Sequence, residues 1–353
     1  MNKGAGLGDT VYLSLSTNGQ NGVLFVVDTG FDHTILDESV VAELGKPLGT
    51  TDFTDEVGGK KSIVSKYKMP DLFWGKTKLR TEDTVAVFDL SFVQQSLGRP
   101  VKGILGMDCL QRYALQLDFD ARKIRLLRSP LLNVETLGKR FFLKLSETGH
   151  YFARENLLGA GDISTEIDTG CNSTGTLESA LFGKAITEHK ASVSANLIMS
   201  ASGVNQKREG RIPKCEFGGE FYRDLILGED SVNRMGLGFL ALHLVTLDFP
   251  IGTMYLKRRA GDFPKDESKM SGLSVLRKVD TTFVYSVEKD GPADRAGIQP
   301  NDVILKVNDH AANALELWEL RNMLQSGDGK EVRLTIERNG EKIQIPVTLK
   351  RKI

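Results

Sequence analysis

The chain contains one unit twice. Leu24-Phe25-Val26-Val27-Asp28-Thr29-Gly30 is answered by Ser164-Thr165-Glu166-Ile167-Asp168-Thr169-Gly170, and Thr34 and Thr174 follow the two aspartates at the same distance. Met69-Pro70 ahead of Gly75 is matched by Ile212-Pro213 ahead of Gly218. Leu105-Gly106 ahead of Leu117-Asp118-Phe119 is matched by Met235-Gly236 ahead of Leu247-Asp248-Phe249. Landmarks in one order at nearly one offset imply two copies of a unit of about 130 residues. Two such copies can pack about a pseudo-twofold axis, which brings equivalent residues face to face.

Each copy reads as β-rich. Val11 to Leu15 and Val23 to Val27 are short strands set off by Asn18-Gly19 and Asn21-Gly22 turn signals. Leu115 to Phe119 and Ile124 to Leu127 flank a turn at Asp120-Ala121. Helix is expected over Glu38 to Leu44, Glu178 to Ala185 and Val93 to Leu97. Arg258 to Ser271 is charged and poor in apolar residues, and reads as a linker. Beyond it, Leu273 to Lys278 and Thr281 to Glu288 read as paired strands, and leucines 317, 320 and 324 form a helical stripe. Val332 to Arg338, Asn339-Gly340 and Lys342 to Lys350 read as a hairpin. The expected units are therefore 1–130, 131–258, a linker at 259–270, and 271–353.

Bulk properties narrow the function classes. At 353 residues the chain is too long for one typical core. Its 40% hydrophobic and 26% charged content excludes a mainly disordered chain. Lys+Arg and Asp+Glu are both 46, so no charge excess calls for nucleic acid or anionic lipid. No apolar run approaches the roughly 18–20 residues of a membrane-spanning helix. No secretory signal stands at Met1, yet a strand begins almost at once. That start fits a cytoplasmic protein, or a periplasmic or exported one whose signal has been removed. Cys109, Cys171 and Cys215 are odd in number and lack C-x-x-C spacing, so neither a disulfide framework nor a zinc knuckle is expected.

A single Asp-Thr-Gly carries little information, because a strand end followed by a turn explains it. Two copies at equivalent places point to chemistry. Strand-end aspartates brought together across the axis cannot both ionise cheaply, so they share one proton. The charged one can take a proton from a trapped water, and the protonated one can donate to a scissile carbonyl. Asp28 and Asp168 are the expected catalytic pair, with no metal, cofactor or covalent intermediate required. Thr29 and Thr169 are expected to reach across the interface to the opposite backbone, and Gly30 and Gly170 to let backbone approach the carboxylates.

On these residues the two copies resemble the lobes of aspartic proteases, the pepsin and retropepsin group. The match comprises both Asp-Thr-Gly motifs, Ile104-Leu105-Gly106 and its counterpart Arg234-Met235-Gly236, and covers residues 1–258. The resemblance implies a β-hairpin flap over the cleft, with Gly58 and Gly59 as candidates in lobe one and Gly203, within 199–211, in lobe two. No flap tyrosine is identifiable; Tyr67 lies just past the hairpin. The chain departs from the family pattern at two kinds of position. Phe31 and Cys171 stand where a small Ala or Ser is usual, and Arg234 stands where the strand is usually apolar.

Gly291-Pro292-Ala293-Asp294-Arg295-Ala296-Gly297 and the run through Asn308 resemble PDZ domains attached to bacterial proteases. The resemblance implies a carboxylate-binding loop at Gly272, Leu273, Ser274 and Val275 that takes a protein C-terminus as an added strand. The expected fold is mainly β: two pseudo-twofold-related retropepsin-like acid protease lobes, then a PDZ domain of strands with two short helices. The expected function is aspartic endopeptidase cleavage of a peptide or protein substrate, recruited or gated by the PDZ unit. Both half-sites lie in one chain, so no homodimer is required. The alternative is a catalytically inactive scaffold whose PDZ domain binds protein C-termini.

Other features are expected to be structural. Ser173 with His33 imitates a serine-protease pair, but Thr174 follows the serine where Gly belongs. The glycines of Gly236 to Ala241 read as strand and packing glycines. His150, His189, His243 and His310 lack metal-ligand spacing and suit surface or packing roles. Cys171 reads as a small buried filler, Trp74 and Trp318 as residues of their own cores, and Lys350-Arg351-Lys352 as a solvated tail.

Overall fold

The computed structural model describes every residue except 18–19, 56–59, 132, 201–202, 262–266 and 268–269, and describes only the backbone of 20, 53–55, 60, 196, 198–200 and 203. The strand Tyr12–Thr17 pairs antiparallel with Gln20–Val27, Tyr12 opposite Val26 and Ser14 opposite Leu24. Successive side chains point to opposite faces of a strand. Leu13, Leu15, Val23, Phe25 and Val27 therefore enter the main core, while Tyr12 and Val26 enter a smaller apolar cluster with Ile35 and Ile104. Phe25 is 1% exposed, and burial of such a ring stabilises by about 1.5–3 kcal/mol. Apolar residues on both faces fix this strand, which ends just before Asp28, between two packed layers.

The Asn21-Gly22 turn signal needs correction. Both residues lie inside the strand Gln20–Val27, where Gly22 has φ +77° and the pairing register shifts between Leu15 and Thr17. The Asn18-Gly19 signal falls outside the described residues.

Nine strands of lobe one form one sheet among the described residues. In lobe two, Asp162–Ile167, which ends just before Asp168, pairs in parallel with Arg234–Met235. This repeats the lobe-one pairing of Gln20–Val27 with Gly103–Leu105. The strand Ala114–Asp118 joins lobe two's sheet by pairing with His243–Asp248, so one sheet spans both copies. Gln116 sits opposite Thr246 and donates its Nε2 hydrogen to Thr246 Oγ1 at 3.0 Å. These two positions are equivalent in the repeat, and the pseudo-twofold axis passes between them. One continuous apolar cluster, which includes Leu115, Leu117, Val245 and Leu247, fills the interior of both lobes. The expected helices are present as Val41–Leu44 after a 3-10 turn, Ser91–Leu97 and Ser179–His189. Gly236 and Gly238 belong to the start of the short helix Leu237–Leu240 rather than to a strand, and pack against Ser173 and Thr174.

The C-terminal unit closes its own core around Val275, Ile304, Leu320, Leu334 and Val347. Its strands Leu273–Lys278, Thr281–Val287, Val303–Val307, Glu331–Arg338 and Glu341–Thr348 accompany helices Pro292–Arg295 and Leu317–Met323. Asn339 and Gly340, at φ 55° and 82°, make the left-handed two-residue turn that matches the twist of a hairpin.

This unit is seated against lobe one. Phe92 and Tyr285 meet edge to face with ring centroids 6.1 Å apart, and Arg99 Nη2 lies 3.0 Å from Glu316 Oε2. Trp318 does not bury in its own core; Gly4 packs against its indole, and Lys3 lies over the ring at 5.8 Å. Trp74 is half-buried against the main core. The C-terminal tail is pinned rather than solvated. Arg351 pairs with Glu267 at 2.6 Å, Lys352 with Glu288, and Ile353 is buried. Glu267 also takes Arg211 of lobe two at 3.0 Å, so this linker residue ties the two units together.

Candidate active site

Asp28 and Asp168 stand at two equivalent strand ends. The Asp28 amide donates to the Leu105 carbonyl at 3.1 Å, and the Asp168 amide to Met235 at 3.0 Å. Asp28 Oδ1 accepts the Gly30 amide at 2.9 Å, and Asp168 Oδ1 accepts those of Gly170 at 2.7 Å and Cys171 at 3.1 Å. The carboxyls face each other across the lobe interface. Each also lies where the opposite glycine's side chain would be. A Cβ on Gly30 would sit 2.5 Å from Asp168 Cγ, and one on Gly170 would overlap the Asp28 carboxyl. Only glycine permits this approach.

Beneath the carboxyls the two threonines cross over. Thr29 Oγ1 donates to the Ile167 carbonyl at 2.7 Å, and Thr169 Oγ1 to Val27 at 2.8 Å. All six residues singled out from the two Asp-Thr-Gly motifs are thus brought together. Gly58 and Gly59 lie outside the described residues, between Gly49–Asp55 and Lys60–Lys68. Gly203 opens the strand Gly203–Phe217 of the lobe-two hairpin. Tyr67 is buried in the lobe-one core.

Burial pushes the Asp28 carboxyl well above the usual carboxylate range, and the Asp168 charge adds to the rise. Asp168 is also raised by burial, but the Arg234 guanidinium opposes the shift. Arg234 Nε lies 2.9 Å from Asp168 Oδ2 and 2.8 Å from Glu166 Oε2. His150 Nδ1 lies 3.0 Å from the other Glu166 oxygen. His150 is therefore neither a surface residue nor a packing residue alone; it ends a buried charged chain that leads to the dyad. Sequence reasoning does not reach Glu166 and His150 as site residues. The available signal is a paired one: Glu166 and Arg234 both replace apolar residues of the first copy, Val26 and Ile104.

Cys171 is half-buried beside Asp168 rather than buried as filler. Its thiol lies 3.2 Å from Ser173 Oγ and is pushed up to about 11 by burial, then by the Asp168 charge. His33 lies 3.6 Å from Asp32 and 3.8 Å from Glu82. Among the described residues no group of three or more His, Cys, Asp or Glu side chains could hold a metal ion. Nor is any helix there long and apolar enough to cross a membrane.

The dyad opens into a cavity of about 1740 Å³ that extends to Leu273, Ser274 and Val275 of the C-terminal unit. Both lobes line it with mixed surface, lobe one with Phe31 and Ala86 beside Asp32 and Lys66, and lobe two with Leu225 and Ile226 beside Arg208 and Asp224. Gly272 has φ +75°, and its carbonyl accepts the Glu288 amide at 2.8 Å. Among the described residues, Leu273–Lys278 is an edge strand with one paired neighbour. The Val275 carbonyl accepts a hydrogen from Arg321 Nη2 at 2.7 Å.

Comparison with known proteins gives two domain matches. Residues 13–109 match the family model described as aspartyl protease, and residues 283–338 match the PDZ domain. A probable CtpA-like serine protease of Staphylococcus saprophyticus is 29% identical over 154 residues, 41% of this chain and 30% of that protein. The protein of the same description from Staphylococcus aureus strain COL is 36% identical over 76 residues, 22% of this chain and 15% of the relative. The chain thus spans at most 30% of the length of these relatives. Among solved structures, basic 7S globulin from soybean has a TM-score of 0.44 at 12% identity, covering 71% of this chain and 91% of that one. The photosystem II D1 C-terminal processing protease has a TM-score of 0.23 at 22% identity, over 24% and 23% of the two chains.

Proposed function

We propose, for a chain that joins an aspartyl-protease-type fold to a PDZ domain, that it is an endopeptidase in which Asp28 and Asp168 activate water against a peptide bond. One observation carries this reading: the two carboxyls meet across the lobe interface, each in the space that the opposite glycine leaves open. Two carboxyls so close hold one proton between them at working pH. The ionised member takes a proton from water, and the protonated member donates to the amide carbonyl. The units act as 1–130, 131–258, the linker 259–270 and the PDZ domain 271–353. Both aspartates come from one chain, so a monomer suffices. The continuous cavity supports a peptide substrate whose C-terminal part engages the PDZ side.

A digest of a peptide library tests this. Cleavage is expected to be blocked by a statine-type transition-state mimic and abolished in Asp28→Asn and Asp168→Asn alike. Unchanged turnover in either variant rejects the shared dyad. The names of the staphylococcal relatives favour a serine nucleophile, and Ser173 is the serine nearest in kind at this site. A fluorophosphonate probe that labels Ser173 and stops cleavage would establish that reading instead. Peptide binding with no cleavage by the wild type would leave the scaffold reading.

A further inference from the structure

Ile104 and Arg234 hold equivalent places in the two lobes. Ile104 sits beside Val26 across the parallel strands of lobe one, and Arg234 beside Glu166 across those of lobe two. Val26 and Ile104 are each 5% exposed, while Glu166 and Arg234 are 1% and 8% exposed. One copy thus buries an apolar pair where the other buries an ion pair. Such a swap is seldom favourable for stability, because desolvation of two charges offsets their attraction. The position of the cation supplies another reason for it. Arg234 Nε donates its hydrogen to Glu166 Oε2 and lies 2.9 Å from Asp168 Oδ2 as an ion pair, and among the described residues no cation is paired with Asp28.

We infer, on the premise that the dyad hydrolyses amides, that Arg234 is a positioning residue that keeps the dyad's single proton on Asp28 and leaves Asp168 as the anion. Roles that would otherwise be interchangeable are then fixed. Asp168 takes a proton from water as the water oxygen bonds to the carbonyl carbon, and Asp28 gives its proton to the carbonyl oxygen. A neutral gem-diol forms. On collapse, the proton on Asp168 passes to the amide nitrogen, the C–N bond breaks, and one gem-diol hydroxyl returns its proton to Asp28. Every proton is then back where it began.

Arg234 shares its anionic neighbours with other groups. Its anionic neighbours beyond Asp168 are Glu166 and Asp230, the latter at 3.5 Å from Nη1. His150 faces Glu166 at 3.0 Å, and Lys207 faces Asp230 at 2.6 Å. Each of these two anions thus has a second partner of its own. Asp168 also faces Asp28 and has the Cys171 thiol nearby. Burial raises both aspartates, Asp28 well above the usual range, the Glu166 charge adds to the rise at both, and Arg234 acts against it at Asp168.

A carboxyl carbon-13 NMR titration of the full chain with labelled aspartate tests the inference, with assignments from Asp28→Asn and Asp168→Asn. In the wild type Asp168 is expected to ionise at the lower pH. Arg234→Met should raise its midpoint by about 1–3 pH units. Arg234→Lys, which keeps the charge, should restore it to within about half a pH unit of wild type. Glu166→Gln should lower it, because one anion facing Arg234 is gone. The acid limb of kcat/KM should move with the Asp168 midpoint, which a merely structural arginine would not cause. Asp28 ionising first, or an Asp168 midpoint unmoved in folded Arg234→Met, overturns the inference. If Arg234→Met does not fold, Glu166→Gln with an unmoved midpoint overturns it equally. Absence of cleavage by the wild type would reject the protease reading while the NMR order still decides this one.

Discussion

Thr29 and Thr169 exchange hydrogen bonds across the lobe interface, each hydroxyl oxygen accepting the other's backbone amide at 3.0 Å. Each hydroxyl also donates to a carbonyl of the opposite strand, so four buried backbone groups depend on two side chains. The threonines are 1% and 0% exposed, and water cannot replace a lost partner there. Thr29→Ala and Thr169→Ala are each expected to cost about 1–3 kcal/mol in urea unfolding. The double variant should cost less than the sum, because each single change already breaks part of the same network. Strict additivity would show two independent hydroxyls rather than one crossed latch.

The glycines beside the dyad make a sharper prediction. Asp28 is held by the Gly30 amide and cannot swing aside freely, so a methyl group at Gly170 must displace it. Gly170→Ala and Gly30→Ala are expected to lower kcat by at least about 100-fold, because misplacement of a reacting group by about 1 Å has that effect. Circular dichroism and thermal melts should show a folded protein. A folded Gly170→Ala variant with wild-type kcat would mean that the Asp28 position is irrelevant to turnover.

Stability should depend on pH through Asp28. Its carboxyl is raised in the folded state, so the folded protein holds that proton more tightly than the unfolded chain does. This contribution is complete below the ordinary carboxylate range and is lost as pH rises through the raised folded value. Asp28→Asn removes the titration. At neutral pH the variant should be more stable than wild type, because it no longer carries a carboxyl that must bind a proton on folding. The difference should vanish on acidification into the ordinary carboxylate range. Melting temperatures of both proteins between acid and neutral pH measure it, and a pH-independent difference contradicts the raised carboxyl.

Local chemistry makes much of the fold legible. Asp-Thr-Gly twice, with a following apolar-Gly strand, specifies a strand end, a tight turn and a parallel neighbour from contiguous residues. Asn339-Gly340 specifies its hairpin in the same way. The charged chain beneath the dyad is different, because Arg234 and Glu166 are 68 residues apart and neither change makes sense alone. Arg234 by itself looks like damage to an apolar strand; beside Glu166 it is a compensated pair that reaches Asp168. The tail and Trp318 escape a sequence reading for a related reason. Arg351 finds Glu267 in the linker, and Trp318 finds Gly4 at the start of the chain, contacts that no window of sequence displays. Asn21-Gly22 shows the reverse case, where strand pairing overrides a strong local turn signal.

The PDZ edge strand is partly occupied by the protein itself. Arg321 donates to the Val275 carbonyl, and burial draws its guanidinium down to about 10, against the pull of Asp9 and Tyr12. A peptide that adds as a strand beside Leu273–Lys278 needs backbone acceptors along that edge. It must therefore compete with Arg321 for this carbonyl. Arg321→Met retains most of the aliphatic stem, which preserves packing, and removes the competing donor. Peptides with a free C-terminal carboxylate are expected to bind this variant about tenfold more tightly, a change of about 1.4 kcal/mol. Fluorescence anisotropy with a labelled peptide measures it, and the amidated form of the same peptide should bind both proteins weakly. Equal affinities of variant and wild type for the free acid would mean that the peptide does not use the Val275 carbonyl, and equal binding of acid and amide would remove the Gly272–Val275 loop as a carboxylate site.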